Sequence, residues 1–164
     1  MRLNLVAVGR LKGGPERDLV ERYRERIEAI GRIVGISGLN VVELPESRAR
    51  RESDRRAEEA VSLLGKVGDG VLVVFDERGK SPTSEAFADR IREWRDSGRQ
   101  GMTCLIGGPD GLDEAVRRRA DLVASFGAFT LPHQIVRVLA AEQLYRALTI
   151  LAGHPYHRPG HREL

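Results

Sequence analysis

The sequence predicts an α/β fold, with a mostly parallel sheet flanked by helices. Short apolar runs alternate with amphipathic segments along the whole chain, and glycine or proline marks most of the boundaries between them. The run at 71–75 (VLVVF) is apolar at every position, which is typical of a strand covered on both faces. Strands that alternate with helices favour a parallel sheet between two helical layers.

Five strands are predicted from apolar runs that end at glycine, proline or a polar residue. They cover residues 3–8, 39–44, 71–75, 102–106 and 122–125. The segment 76–80 follows the third run, is polar throughout and contains Gly79, so a turn is predicted there.

Helices are predicted between the strands, where apolar residues recur at helical spacing. They cover residues 15–30, 57–64, 82–94, 112–120 and 133–152. Pro15 and Pro132 suit the start of the first and the last of these helices. The arginine-rich segment 47–56 has two interpretations, a solvated loop with a first helical turn or a patch that contacts phosphates.

Composition limits the possible classes of protein. A length of 164 residues suits one domain, and no apolar run approaches the ~20 residues of a membrane span. Met1 leads directly into a strand, without the features of a secretory signal. The single cysteine, Cys104, cannot form an intramolecular disulfide. We therefore expect a cytoplasmic protein without a membrane or metal partner, and a net charge of +3 is compatible with a polyanionic one.

Ligands of parallel sheets bind beyond the carboxyl ends of the strands. That rule selects the turns after Phe75, Ile106 and Ser125. The second turn, at 107–111, has the sequence GGPDG, which matches neither a dinucleotide fingerprint nor a Walker loop. Its glycines indicate either a tight strand-to-helix connection or a close approach of the backbone to a ligand.

The last predicted helix and the tail hold further polar candidates. His133 and Arg137 share one helical face near a helix start that suits an anion, or they are a cap and a solvent-facing side chain. Glu142 and Arg146 have the spacing of a structural ion pair. The histidine-rich tail lacks the convergent ligands of a metal site, so it is either functional or a disordered terminus.

Five segments carry a resemblance to a known family. They are LNLVAVGRLK at 3–12, FDERGK at 75–80, LIGGPDG at 105–111, FTLPHQIVRVLAAEQLYRA at 129–147 and GHPYHR at 153–158. In this order, the last three are highly specific. Over nearly its whole length, the chain resembles the ribosomal large-subunit methyltransferase H family (RlmH, or YbeA-like) of the SPOUT superfamily.

The resemblance implies a single domain over residues 1–164, with a C-terminal trefoil knot in a cofactor-binding part at about 70–158. It also implies a homodimer that uses S-adenosylmethionine. The expected reaction is methyl transfer to N3 of a pseudouridine in helix 69 of 23S ribosomal RNA, on assembled ribosomes in the bacterial cytoplasm.

The resemblance also implies site residues. The cofactor pocket should use Phe75, Gly107 and the loop Phe126, Gly127, Ala128, Phe129, Thr130 and Leu131. The family usually has an aliphatic residue at Phe75, leucines at Phe126 and Phe129, and often glutamate at Asp110.

Removal of the N3 proton leaves an anion that a cation stabilises, and Arg137 is the first candidate for that cation, with Arg158 second. His133, His154 and His157 are candidate bases, because a base with a pKa near 7 would be a histidine. Tyr156 belongs to a tail that closes over the active site in the family.

Two other classes of function remain open. The first is a non-catalytic RNA-binding module that keeps the fold without the cofactor. The second is a nucleotide-binding α/β enzyme such as a dehydrogenase, although no glycine fingerprint follows Val8. The intact pocket turns and tail favour the methyltransferase.

Overall fold

A computed structural model describes residues 1–158 of the chain, and its sheet has five strands. The strands are β1 (Arg2–Val8), β2 (Leu39–Leu44), β3 (Val71–Lys80), β4 (Gly101–Ile106) and β5 (Leu122–Ala124). They lie in the order β2-β1-β4-β3-β5, and every neighbouring pair is parallel. The predicted parallel sheet is therefore confirmed.

Helices connect the strands. They are α1 (Pro15–Gly31), α2 (Glu52–Leu64), α3 (Ser84–Asp96), α4 (Glu114–Arg119) and α5 (His133–Leu151), and a short 3-10 turn, Arg32–Val34, follows α1. Pro15 lies in the first turn of α1 and Pro132 directly precedes α5. The helix α2 begins at Glu52, so residues 47–51 form a loop and 52–56 are the first residues of the helix.

The sheet is buried on both faces. One face carries residues such as Leu5, Val73 and Cys104, which belong to the same core cluster as residues of α1, α3 and α5. Alternate residues, such as Val6 and Val74, form a second cluster with α2 and α4. Two covered faces explain why the strand runs are continuously apolar.

The predicted turn at 76–80 is wrong, because β3 extends to Lys80. Lys80 pairs with Ala124 of β5, and the Lys80 carbonyl accepts a hydrogen bond from the backbone N–H of Ser125 at 2.7 Å. A Cβ at Gly79 would lie 2.7 Å from backbone atoms of residues 123 and 124, so glycine allows the strands to approach. The polar side chains of 76–80 gave no sign of this pairing, since a strand bonds through its backbone.

The helix α5 packs against α1 and α3. Its buried residues include Arg137, Leu144 and Leu148, whereas Ile135 is exposed and Val138 is partly exposed. Within residues 1–158, no helix combines the length and the apolar character that a membrane span requires.

Candidate active site

The carboxyl edge of the sheet holds a cavity of about 520 Å³. Its walls come from residues 75–78 of β3, from the turns after β4 and β5 and from the first residues of α5. The volume lies within the range of small-molecule sites, about 300–1,000 Å³. Two of the turns that the sheet rule selected, after Ile106 and after Ser125, therefore meet around one cavity, and the extended end of β3 stands in place of the third.

Most of the predicted cofactor residues line this cavity. They are Phe75, Gly107, Phe126, Gly127, Phe129, Thr130 and Leu131. Ala128 is not among the lining residues, although it belongs to the same loop. Among the predicted catalytic residues, the cavity wall includes only His133.

The glycine turn after β4 is shaped by the chain's own packing. The Gly111 N–H donates a hydrogen bond to the Gly108 carbonyl at 3.0 Å, and Gly111 has a φ of 79°. A Cβ at Gly107 would lie 2.8 Å from Cγ of Leu112. One at Gly108 would lie 3.0 Å from Cγ1 of Val8. Glycine at 107 and 108 is therefore explained by the close packing of the turn against Leu112 and Val8, before any ligand is considered.

Aromatic rings form another wall of the cavity. Phe75 and Phe126 stack with centroids 5.0 Å apart and an interplanar angle of 10°, while Phe87 meets Phe75 edge-on at 6.3 Å. Phe129 lies at the cavity mouth with 85% of its surface exposed. The rings supply an apolar surface at one end of an otherwise polar site.

Two ion pairs frame the cavity, and sequence reasoning missed both. Asp76 accepts from Arg117 at 3.1 Å, and Arg117 also donates to the Leu112 carbonyl at 2.8 Å. Arg55 donates to both oxygens of Asp110, at 2.5 and 3.0 Å. This guanidinium lowers the pKa of Asp110 below its usual range. Asp76 directly follows the run 71–75, a position that could have suggested a role, but the partners lie far away in sequence.

The start of α5 presents a histidine and free backbone donors. The residue before the helix, Pro132, provides no side-chain cap, so N–H groups of the first turn have no capping partner from it. Burial, and then the nearby charge of Arg137, lowers the pKa of His133 from its ordinary 6.5. His133 is therefore neutral near pH 7 and able to accept a proton.

Arg137 lies away from the cavity lining and is 1% exposed. Its Nη2 donates to the carbonyls of Val8 and Gly9 at 2.8 and 2.7 Å, and its Nη1 donates to Glu43 at 2.7 Å. The alternative of a solvent-facing arginine is wrong. These contacts fasten α5 to the ends of β1 and β2.

The tail packs along α5 and α3. Tyr156 donates to Glu142 at 3.0 Å and packs edge-on against Tyr145. Burial, together with the hydrogen bonds to Tyr23 and Glu142, raises the pKa of Tyr156. These contacts hold the tail outside the cavity lining.

The other tail candidates also lie outside the lining. Nε2 of His157 lies 2.8 Å from Glu85, Nδ1 of His154 accepts from the Tyr156 N–H at 3.1 Å, and Arg158 is exposed. Glu142 also pairs with Arg146 at 2.6 Å, as predicted. Residues 159–164 of the tail lie outside the described part of the chain.

A family model described as "Predicted SPOUT methyltransferase" matches residues 1–157. The chain belongs to the SPOUT methyltransferase family. It is 62% identical over 159 residues to the ribosomal RNA large subunit methyltransferase H of Methylobacterium nodulans, covering 96% of this chain and 98% of that protein. It is 57% identical to the protein of the same name from Rhodopseudomonas palustris, over 96% and 99% of the two chains. The resemblance to the methyltransferase H family is confirmed.

A solved structure shares the SPOUT fold. It is the tRNA (m1G37) methyltransferase of Aquifex aeolicus, with a TM-score of 0.53 and 14% identity, over 97% of this chain and 77% of that one. At this identity, the likeness concerns the fold alone.

Two positions at which the resemblance implies aliphatic residues are neighbours in the structure. The rings of Phe75 and Phe126 stack on each other, so each ring accommodates the other.

Within residues 1–158, no group of three His, Cys, Asp or Glu side chains is placed to hold a metal.

Proposed function

We propose that this chain transfers a methyl group from S-adenosylmethionine to N3 of a pseudouridine in helix 69 of 23S ribosomal RNA, on assembled ribosomes. One observation carries the proposal: in a SPOUT methyltransferase chain, the end of β3 and the turns after β4 and β5 meet at one cavity, with His133 in its wall. The names of the relatives, ribosomal RNA large subunit methyltransferases, support the substrate class.

The cavity walls suit the three chemical parts of S-adenosylmethionine. The rings of Phe75 and Phe126 offer an apolar surface to adenine. Asp76 and Asp110 are paired with Arg117 and Arg55, and their remaining lone pairs are acceptors for ribose hydroxyls. The first turn of α5 offers N–H groups to the methionine carboxylate. When bound, the cofactor supplies an activated methyl group.

The chain's own residues align the reactants and accept a proton. Alignment at near-attack distance contributes ~7–11 kcal/mol in well-oriented reactions. We assign the base to His133, since it lies in the cavity wall and is neutral near pH 7. The two terminal nitrogens of Arg137 donate to Val8, Gly9 and Glu43, and the residue lies outside the cavity lining, so we assign stabilisation of the pyrimidine anion to Arg158 instead. For Arg158 to reach the substrate, the tail must first break the contacts of Tyr156 with Glu142 and of His157 with Glu85.

We also propose one domain over residues 1–164, with a trefoil knot in the cofactor-binding part at about 70–158. The path of the chain supports this arrangement. β5 lies at the edge of the sheet, yet Arg137 of α5 reaches the ends of β1 and β2. The connecting segment 125–132 therefore crosses the ends of the strands that lie between, along the cavity.

We propose that the protein is a homodimer in the bacterial cytoplasm. Ile135, Val138 and Leu139 follow helical spacing on the part of α5 that this chain leaves incompletely covered. A second copy would remove these apolar side chains from water. Sedimentation at micromolar concentration should give about twice the chain mass of 18.2 kDa, and a monomer would contradict the proposal.

Two measurements test the function. Calorimetric titration should show S-adenosylmethionine binding, and a methylation assay should modify ribosomes that carry the unmethylated pseudouridine. A non-catalytic RNA-binding module would bind ribosomes but not the cofactor, and a dehydrogenase would bind a nicotinamide dinucleotide instead. Either result would overturn the proposed function.

A further inference from the structure

A short loop beside the cavity carries exposed arginines. This arginine loop, residues 47–51, joins β2 to α2. The side chains of Arg48, Arg50 and Arg51 are exposed, and none of them forms a salt bridge with a carboxylate of residues 1–158. Their charges are therefore available to an external anion.

One guanidinium ties the loop to the cavity wall. Arg55 donates through Nη1 to the carbonyls of Ala49 and Arg50, each at 3.2 Å. Its Nε and Nη2 donate to Asp110 in the glycine turn. The Arg55 guanidinium thus joins the loop backbone on one side to the cavity wall on the other, which places the loop at the rim of the cavity.

A second anchor holds the start of the loop. The Ser47 N–H donates to Oε1 of Glu59 at 2.9 Å, and the Ser47 hydroxyl pairs with Glu58. Glu59 is buried, and its Oε2 lies 3.3 Å from the position of a Cβ on Gly108. Both anchors therefore abut the glycine turn and fix the loop backbone beside it.

Other charges continue from the loop into the cavity. Arg56 also lines the cavity, where Glu52 balances its charge. Arg78 is exposed on the cavity wall. An anionic chain that crosses the mouth would therefore meet the arginine loop on one side and Arg78, next to the exposed Glu77, on the other.

We propose that the arginine loop binds the phosphodiester backbone of the RNA substrate and holds the target nucleotide over the cavity. The proposal rests on the proposed function and adds a docking surface to it. A guanidinium fork matches phosphate oxygens and donates two hydrogen bonds at once. Because Arg55 and Glu59 fix the loop backbone, binding needs to order only the arginine side chains.

The roles within this surface differ. Arg48, Arg50 and Arg51 contact RNA, whereas Arg55 is a positioning residue that acts through the loop. Removing Arg55 should therefore weaken RNA binding in a variant that still has the three contact arginines, and should add little once they are gone. Independent contacts would instead give additive losses.

The test compares two triple variants with the same change in charge. One is R48A/R50A/R51A, and the control is R2A/R32A/R99A, whose exposed arginines lie at the amino ends of β1, before β2 and before β4. Binding of ribosomes is measured from about 50 to 200 mM salt, because each phosphate contact steepens the salt dependence of affinity. S-adenosylmethionine titration and thermal melts are recorded for each protein.

We expect ribosome binding by the loop variant to depend less on salt than binding by the wild type or by the control variant. Three phosphate contacts correspond to about 30-fold in affinity across this salt range, so the wild type and the control should weaken about 30-fold more than the loop variant. KM for ribosomes should rise, while cofactor affinity and melting temperature stay unchanged. Adding Arg55→Gln to the loop variant should cause little further loss.

The outcomes separate the two proposals. If the loop variant binds ribosomes like the control, the docking surface is wrong, whether or not the protein methylates them. If the wild type binds ribosomes but transfers no methyl group, the proposed function is wrong. The salt dependence of ribosome binding still tests the role of the arginine loop. Additive loss from Arg55→Gln would make Arg55 a further contact, which contradicts its positioning role. Equal binding of the wild type to anionic lipid vesicles would overturn RNA as the partner.

Discussion

Replacement of Arg137 by methionine tests whether this arginine is a buried structural clamp. The change keeps most of the side-chain volume but removes every donor of the guanidinium. The carbonyls of Val8 and Gly9 then lose a partner, and Glu43 retains only the Leu11 N–H, which donates to it at 2.5 Å. Arg137→Met should therefore loosen α5 from the ends of β1 and β2.

The expected loss of stability follows from these contacts. Removing one partner of a buried ion pair costs about 3–5 kcal/mol, and the partial exposure of Glu43 places this pair near the lower end. Burial lowers the pKa of Arg137, so desolvation already offsets part of what its hydrogen bonds contribute. For a chain of this size, a loss of about 3 kcal/mol lowers Tm by about 6–12 °C.

The assay is thermal and urea denaturation at fixed protein concentration, because association of subunits would shift Tm. Glu43→Gln is the matched control: it keeps a hydrogen-bond acceptor and both carbonyl contacts, and it measures the cost of leaving the buried Arg137 without its carboxylate partner. The double variant should be no less stable than Arg137→Met alone, since it no longer leaves the Glu43 carboxylate without its cation. The reasoning is refuted if Arg137→Met melts like the wild type, and loss of methyl transfer in that folded variant would return Arg137 to the catalytic residues.

Three further predictions concern the cavity and the tail. Gly107→Val places its Cβ 2.8 Å from Leu112, so the glycine turn must shift at the cavity wall. In a variant that a thermal melt shows to be folded, S-adenosylmethionine affinity should fall at least ~10-fold by calorimetry. Gly68→Ala, with open space around it, should leave affinity unchanged. Truncation after Gly153 removes the Tyr156 packing and its hydrogen bond, which should lower stability by about 1–2 kcal/mol in a melt. Methyl transfer by the truncated chain should fall by ~10²-fold or more, and a full rate would show that the tail is dispensable. Because the pKa of His133 is lowered from 6.5, the histidine stays deprotonated between pH 7 and 8 and becomes protonated only below 6.5. The His133-dependent part of the rate should thus fall only below pH 6.5, and a fall already between pH 8 and 7 would exclude His133 as the base.

The positions of the strands and helices were largely readable from the sequence. The run 39–44 coincides with β2, and 71–75 begins β3. Such runs are local signals, because burial on both faces or on one helical side leaves its period in neighbouring residues. Proline likewise marked the starts of α1 and α5, where its fixed φ and missing donor suit a helix.

The place of the cavity was also predictable, because the carboxyl ends of parallel strands share one edge. The roles of individual charged residues were not. Arg137 had the spacing of a surface or catalytic residue, yet it is buried against Val8, 129 positions away. Arg55 and Asp110 are 55 positions apart, and no local pattern joins them.

The sequence by itself therefore determined the strands, the helices, the family and the edge of the sheet where a ligand would bind. Only the tertiary structure decided that β3 continues through its polar end, that Arg137 is buried and that Arg55 ties a loop to the glycine turn. The reason is physical. Periodicity records whether a side chain meets water or the core, whereas a hydrogen bond or ion pair depends on which distant segment the fold brings within about 3 Å.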